Sequence, residues 1–96
     1  MRHVGSASEA LTPPDLAIEI RSAGQSLRDL SRTCEWYVEH GVPVALLVDD
    51  ADESVRVFRS NASVSICRLG DQIDLGEIAA DLRLPVDELF RALDPD

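Results

Sequence analysis

The 96-residue sequence predicts an α/β or α+β domain built on a mixed β-sheet. Three stretches carry that expectation. Residues 16–21, LAIEIR, alternate apolar and polar side chains. Residues 27–37 repeat apolar side chains at three- and four-residue spacing, and residues 43–50, PVALLVDD, open as an unbroken apolar run. Strand, helix and strand in that order make a βαβ crossover, which is overwhelmingly right-handed because a twisted strand and a right-handed helix pack back on the sheet only that way.

In the first strand Leu16, Ile18 and Ile20 share one face while Asp15, Ala17, Glu19 and Arg21 share the other, the period of two expected of a half-buried strand. The stretch SAGQS, residues 22–26, breaks it. Ser26 with Asp29 three positions later is a helix-start signature, and Leu27, Leu30, Cys34 and Tyr37 form the inward stripe. Arg28, Arg32, Glu35 and Glu39 fall on the opposite side, where ion pairs between successive turns are expected. Gly41 suits the position just past the helix end. The run PVALLVDD fits a strand covered on both faces, lying parallel to the first.

The stretch DDADES, residues 49–54, is a turn, and VRVFR (55–59) and SVSICRL (63–69) alternate around SNA as a hairpin, so the sheet becomes mixed. The stretch LGDQIDLGE, residues 69–77, is expected to be an extended connection. LPVDELFRAL, residues 84–93, reads as a last short helix with Pro85 near its start and Leu89, Phe90 and Leu93 packed inward.

At this length and 45% hydrophobic content the chain has room for one small core. The domain organisation expected is a flexible lead over residues 1–12 and a single domain over 13–96. The 18 acidic residues against 9 basic ones give a formal charge of −9, which repels nucleic acid and anionic membranes unless a local patch intervenes. All nine basic residues are arginine; the sequence contains no lysine. Cys34 and Cys67 show no metal-ligand spacing and read as buried reduced thiols. The opening MRHVGSASEALTPP has no apolar run long enough for a signal peptide or membrane helix, so a cytoplasmic protein without membrane contact is expected.

The ordered set PPDLAIEIRS (13–22), YVEHGVPVALLVDDADESVRVFR (37–59) and LRLPVDELF (82–90) resembles the C-terminal half of the bacterial Uma-two family of restriction-endonuclease-like proteins, within the PD-(D/E)XK nuclease superfamily. The resemblance spans about residues 13–93. It implies a restriction-endonuclease-like fold, here truncated, because family members typically carry further helices and the strand bearing the first metal-binding Asp upstream. It also implies Mg²⁺ or Mn²⁺ as cofactor and DNA as partner, although the net charge opposes DNA. In such nucleases an Asp and a Glu from neighbouring strands hold the ion that activates water, and a lysine orients that water or stabilises charge.

By motif position the resemblance makes Glu19 the metal ligand of the family's Glu-x-Lys site and places Arg21 where the lysine stands; these are the two candidate catalytic residues. Some members carry the lysine on the following helix, one turn before the Tyr that Tyr37 matches; here that position is Thr33, beside Arg32.

Asp15 does not replace the first carboxylate. A strand rises about 3.3 Å per residue, so Asp15 and Glu19 lie roughly 13 Å apart, whereas ligands of one Mg²⁺ sit about 2.1 Å from it. Asp15 reads instead as the residue that opens the strand after the PPD turn. Arg21 binds phosphate well but stays protonated, so it anchors rather than shuttles protons. Against a catalytic role stands a plainer reading, in which Glu19 and Arg21 pair loosely on one strand face or cap nearby elements.

The acidic run Asp49, Asp50, Asp52, Glu53 lacks the Gly and terminal Glu of a calcium loop and is expected to be a solvated turn. His3 falls in the lead and His40 at a helix end near the dipole, neither with a nucleophile partner. Ser22 and Ser26 have no His base. Trp36 is out of phase with the helix stripe and reads as a surface or interface residue.

Two readings therefore remain: a nuclease-like domain, either with residual metal-dependent activity or completed by a second chain and expected to be inactive as a single one, and a non-catalytic interaction or oligomerisation module. A homo-oligomer or a partner protein is expected, with Trp36 or an edge strand in the contact.

Overall fold

The structure is a computed structural model that describes residues 2–3 and 14–93. Its main sheet has the strand order β1 (Arg2–His3), β2 (Leu16–Arg21), β3 (Val44–Asp49), β4 (Ser54–Arg59) and β5 (Ser65–Arg68), with helix α1 (Leu27–Glu39) crossing from β2 to β3. Only β2 and β3 run parallel; β3–β4 and β4–β5 are antiparallel hairpin pairs, and the two-residue β1 pairs antiparallel with β2. One parallel pair in an otherwise antiparallel sheet is the mixed arrangement expected, on the α+β side of the two classes. Residues 1 and 4–12 of the expected lead, and 13 and 94–96 of the expected domain, lie outside the described residues.

Local chemistry sets the helix ends. Ser26 takes an extended backbone and its Oγ accepts a hydrogen bond from the N–H of Asp29 at 3.3 Å, satisfying one donor that a first helical turn leaves open. Gly41, at φ +100°, lets the chain leave α1 in a left-handed turn that a side chain would resist. Thr33 donates its hydroxyl to the carbonyl of Asp29 one turn back, so it serves the helix backbone.

Two apolar layers sandwich the sheet. On one face Leu30 and Cys34 of α1 pack over Ala17, Ala45, Leu47 and Phe58. On the other, Val44, Leu46, Val48, Val55 and Val57 meet Ile73, Leu75, Val86 and Leu89. All six residues of β3 are buried, which is why its sequence runs apolar rather than alternating. Leu46 and Leu47 are wholly buried on opposite faces, each contributing about 1.5–3 kcal/mol of transfer free energy.

The second face is covered by elements that depart from expectation. Within the stretch read as a connection, β6 (Gln72–Asp74) pairs antiparallel with β7 (Arg83–Pro85) as a small second sheet, and Ile73 of β6 enters the core. Three-residue strands are too short for alternation to stand out from a loop. Helix α2 (Val86–Leu93) begins just after Pro85 and buries Val86 and Leu89. Phe90 packs partly against that core, but Leu93 is exposed, on the lining of an open cleft that it shares with Ile20 and Val48. The polar face of β2 is not solvated: α1 lies over it and leaves Ala17 at 0% and Glu19 at 2% exposure.

Candidate active site

Glu19 sits on the α1 side of β2, between Ala17 and Arg21, and is buried beneath the helix. Tyr37 reaches down from α1 and donates its hydroxyl to Oε2 of Glu19 at 3.3 Å. Both residues make further interactions. Beside them the Cys34 thiol is pushed up to about 12, first by burial and then by the negative charges of Glu19 and Glu35. Burial, with Glu19 next, also raises the Tyr37 phenol above its ordinary value. The pocket thus holds Tyr37 and Cys34 protonated.

Arg21 does not pair with Glu19. Residues two apart on one strand share a face but stand about 7 Å apart. Its register partner across the parallel ladder is Asp49, and Arg21 Nη1 donates to Asp49 Oδ2 at 3.0 Å. Arg21 Nε donates to the carbonyl of Gln25 at 3.1 Å, while Asp49 Oδ1 accepts from the N–H of Ala51 at 3.0 Å. Both carboxylate oxygens of Asp49 are therefore engaged. Asp49 closes β3 and is only 4% exposed, so it belongs to the sheet and not to the solvated turn expected for it; the turn proper is Asp50–Glu53. The pair flanks a cleft of about 460 Å³ at the carboxyl ends of the two parallel strands, where open sheets commonly bind ligands.

Register extends this geometry across the sheet. Arg21, Asp49, Ser54 and Arg68 are successive partners on β2, β3, β4 and β5, and Glu19, Leu47, Arg56 and Ile66 form the next row on the same face. Alternation along β4 between Val55 and Val57, which point to the opposite core, puts Arg56 on the α1 face. Its Nε is buried with no hydrogen-bond partner. Asp52, at the turn, accepts from the Ser54 hydroxyl at 2.5 Å and lies 4.0 Å from Arg68. The Ser54 hydrogen bond, aided by Arg68 and Arg56, holds the Asp52 carboxyl below its ordinary range.

Other candidates fall apart in space or into plainer roles. Asp15 is exposed ahead of β2. Among the described residues neither Arg28 nor Arg32 forms the expected ion pair with Glu35 or Glu39. Trp36 is 54% exposed, as its phase predicts, and stacks on His40 at 4.1 Å between centroids. His40 Nδ1 lies 2.8 Å from the Trp36 carbonyl at the helix end. Cys34 is buried, Cys67 only half-buried, and both are free thiols.

The donor set decides the fit to a divalent ion. Among the described residues no three His, Cys, Asp or Glu side chains converge, Asp49 is committed to Arg21 and Ala51, and Glu19 is the one carboxylate at the position the resemblance implies. These residues by themselves do not make a metal site.

The model of a family described as "Putative restriction endonuclease", Uma2, matches residues 2–87. The chain belongs to the Uma2 family. A crystal structure of a "putative nuclease belonging to DUF820" from Anabaena variabilis superposes with a TM-score of 0.74 at 26% identity, covering 88% of this chain and 48% of that one. This Uma2 chain thus spans about half the length of that structural relative. No curated protein sequence matches it significantly. Uma2 membership and the shared nuclease-like fold agree with the resemblance read from the ordered motifs. Among the described residues no helix is long and apolar enough to cross a membrane.

Proposed function

We propose that this Uma2 chain is a nuclease-fold domain that does not hydrolyse DNA as a single copy. The observation that carries the reading is the Arg21–Asp49 pair. The residue at the family's lysine position is a permanent cation tied to the neighbouring strand, and the carboxylate so used is withdrawn from any metal. Metal-dependent phosphodiester cleavage needs at least two anionic ligands on the ion, an ionisable water and a positive group at the phosphate. Glu19 supplies one anionic group, and Arg21 the positive group in an anchoring role.

A net charge of −9 also gives DNA no long-range attraction, so any contact falls to arginines such as Arg21, Arg56 and Arg68 on the α1 side of the sheet. The free thiols of Cys34 and Cys67 support a cytoplasmic location. The test is plasmid nicking by purified protein with Mg²⁺ or Mn²⁺, beside Glu19→Ala. The expected result is no cleavage above background from either; cleavage by the parent that Glu19→Ala abolishes overturns the proposal.

The second reading, an interaction module, is favoured by the margin of the sheet at β5, where Ile66 and the flanking Val64 and Leu69 are each between 44% and 46% exposed.

A further inference from the structure

We propose that β5 is a self-association edge, along which two copies of this chain pair antiparallel across a two-fold axis and join their main sheets into one. The inference stands independently of whether the chain cleaves DNA. Among the described residues β5 pairs with another strand on one side only, β4; on its other side Asp71 takes both the N–H and the carbonyl of Arg68, and the groups of Ile66, two residues back, are left in the extended geometry that another strand satisfies. The segment is also where apolar side chains are left in water. Val64, Ile66 and Leu69 are three of the six large hydrophobic residues that the described chain exposes. A single exposed apolar residue is ordinary; three within six residues on an unpaired edge are a contact surface.

Charge selects the occupant. Residues 54–70 contain no acidic side chain, the longest such stretch in a chain of net charge −9, so two copies meet there without apposing their carboxylates. The arginines of the same stretch do not make the edge a polyanion site. Arg59 is held by Glu77 at 2.5 Å and by the carbonyl of Asp74, and Arg68 faces Asp52 at 4.0 Å. Residues 60–67, SNASVSIC, carry no charge at all. A locally neutral, apolar strand edge is complementary to another of its kind rather than to a charged peptide or to nucleic acid.

Pleating fixes the register. Directly opposed residues of antiparallel strands point to the same face, so the two-fold axis passes through a residue. Centring it on Ile66 sets the exposed Ile66 side chains against each other, Ser65 opposite Cys67 and Val64 opposite Arg68, so no two arginines are directly opposed.

Light scattering on the full chain at high micromolar concentration tests this. The expected mass is twice the 10.5 kDa of one chain. Ile66→Lys sets two ammonium groups opposite each other and is expected to weaken association roughly tenfold or more. Its far-UV circular dichroism should remain that of the parent, because Ile66 is half exposed; should it fail to fold, Ile66→Ser takes its place. Trp36→Ala, on the far side of α1, should leave the dimer intact. A monomeric parent overturns the inference, as does a dimer that Ile66→Lys (or Ile66→Ser) leaves unchanged or that Trp36→Ala dissolves.

Discussion

Arg21 and Asp49 are direct register partners on the two parallel strands, and their side chains meet at 3.0 Å where those strands end. The contact ties the crossover's two strands at the end where α1 begins. Asp49 is almost fully buried while Arg21 keeps about a third of its surface, so the carboxylate depends on the pair more than the guanidinium does. Asp49→Ala removes the buried carboxylate that Arg21 pairs with and the acceptor of the Ala51 N–H, and is expected to cost about 1–3 kcal/mol in urea unfolding. A double-mutant cycle should return a coupling of about 1 kcal/mol for Arg21 with Asp49 and under about 0.5 kcal/mol for Arg21 with Glu19. The reverse order would show that Arg21 answers to Glu19.

Tyr37→Phe deletes the hydroxyl that donates to Glu19 and leaves the ring in place. At 3.3 Å in a partly buried setting the loss should sit at about 0.5–1.5 kcal/mol, read from the urea midpoint. Thr33→Ala, which removes a hydroxyl engaged only with its own helix, should change stability by less than about 0.5 kcal/mol.

Alkaline pH should weaken the fold through Cys34. Its thiol ionises near 9.0 when the chain is unfolded and only near about 12 when folded, chiefly because burial disfavours the thiolate. The unfolded state therefore releases a proton first as pH rises. The Cys34 contribution is complete below pH 9.0 and is lost progressively between 9.0 and about 12. The raised Tyr37 phenol acts in the same direction as pH rises past its ordinary 10.0. Urea midpoints measured from about pH 8 to about pH 10.5 should fall, and Cys34→Ala should flatten that decline while lowering stability throughout. A parent midpoint constant over that range would show that Cys34 is accessible to water.

Cleavage assays should be silent, and substitution at the lysine position is informative beside them. Arg21→Lys restores the family's residue type but not a second carboxylate on the ion, so it should leave plasmid DNA uncut with Mg²⁺ or Mn²⁺. Nicking by Arg21→Lys alone would identify the guanidinium as the block.

The long elements were legible because their periods are long enough to stand out. Ser26, the Leu27–Tyr37 stripe and Gly41 marked α1, and the unbroken run after Pro43 marked a strand covered twice. Two kinds of information were not local. Asp49 reads as the first residue of an acidic turn until the ladder with β2 shows it to be the last residue of a strand, facing Arg21 from 28 positions away. Arg56 likewise looks like an ordinary outward residue between two valines; only the β3–β4 register places it beside Leu47 under the α1 layer, with Nε buried. Had alternation been projected through both hairpins, its face would have been readable. The Tyr37–Glu19 contact needed the docking angle of α1, which no sequence spacing encodes.

The complete burial of β3 has a dynamic corollary. Its amide groups are clasped by β2 on one side and β4 on the other, with apolar layers above and below, so solvent reaches them only when the whole domain opens. The β3–β4 hairpin closes over the short Asp50–Glu53 turn, whereas the β2–β3 ladder must first span α1. Native-state hydrogen exchange should thus rank β3 slowest, and the hairpin should assemble before the parallel ladder. The strand that sets the cleft's floor is the last part of the molecule to let go.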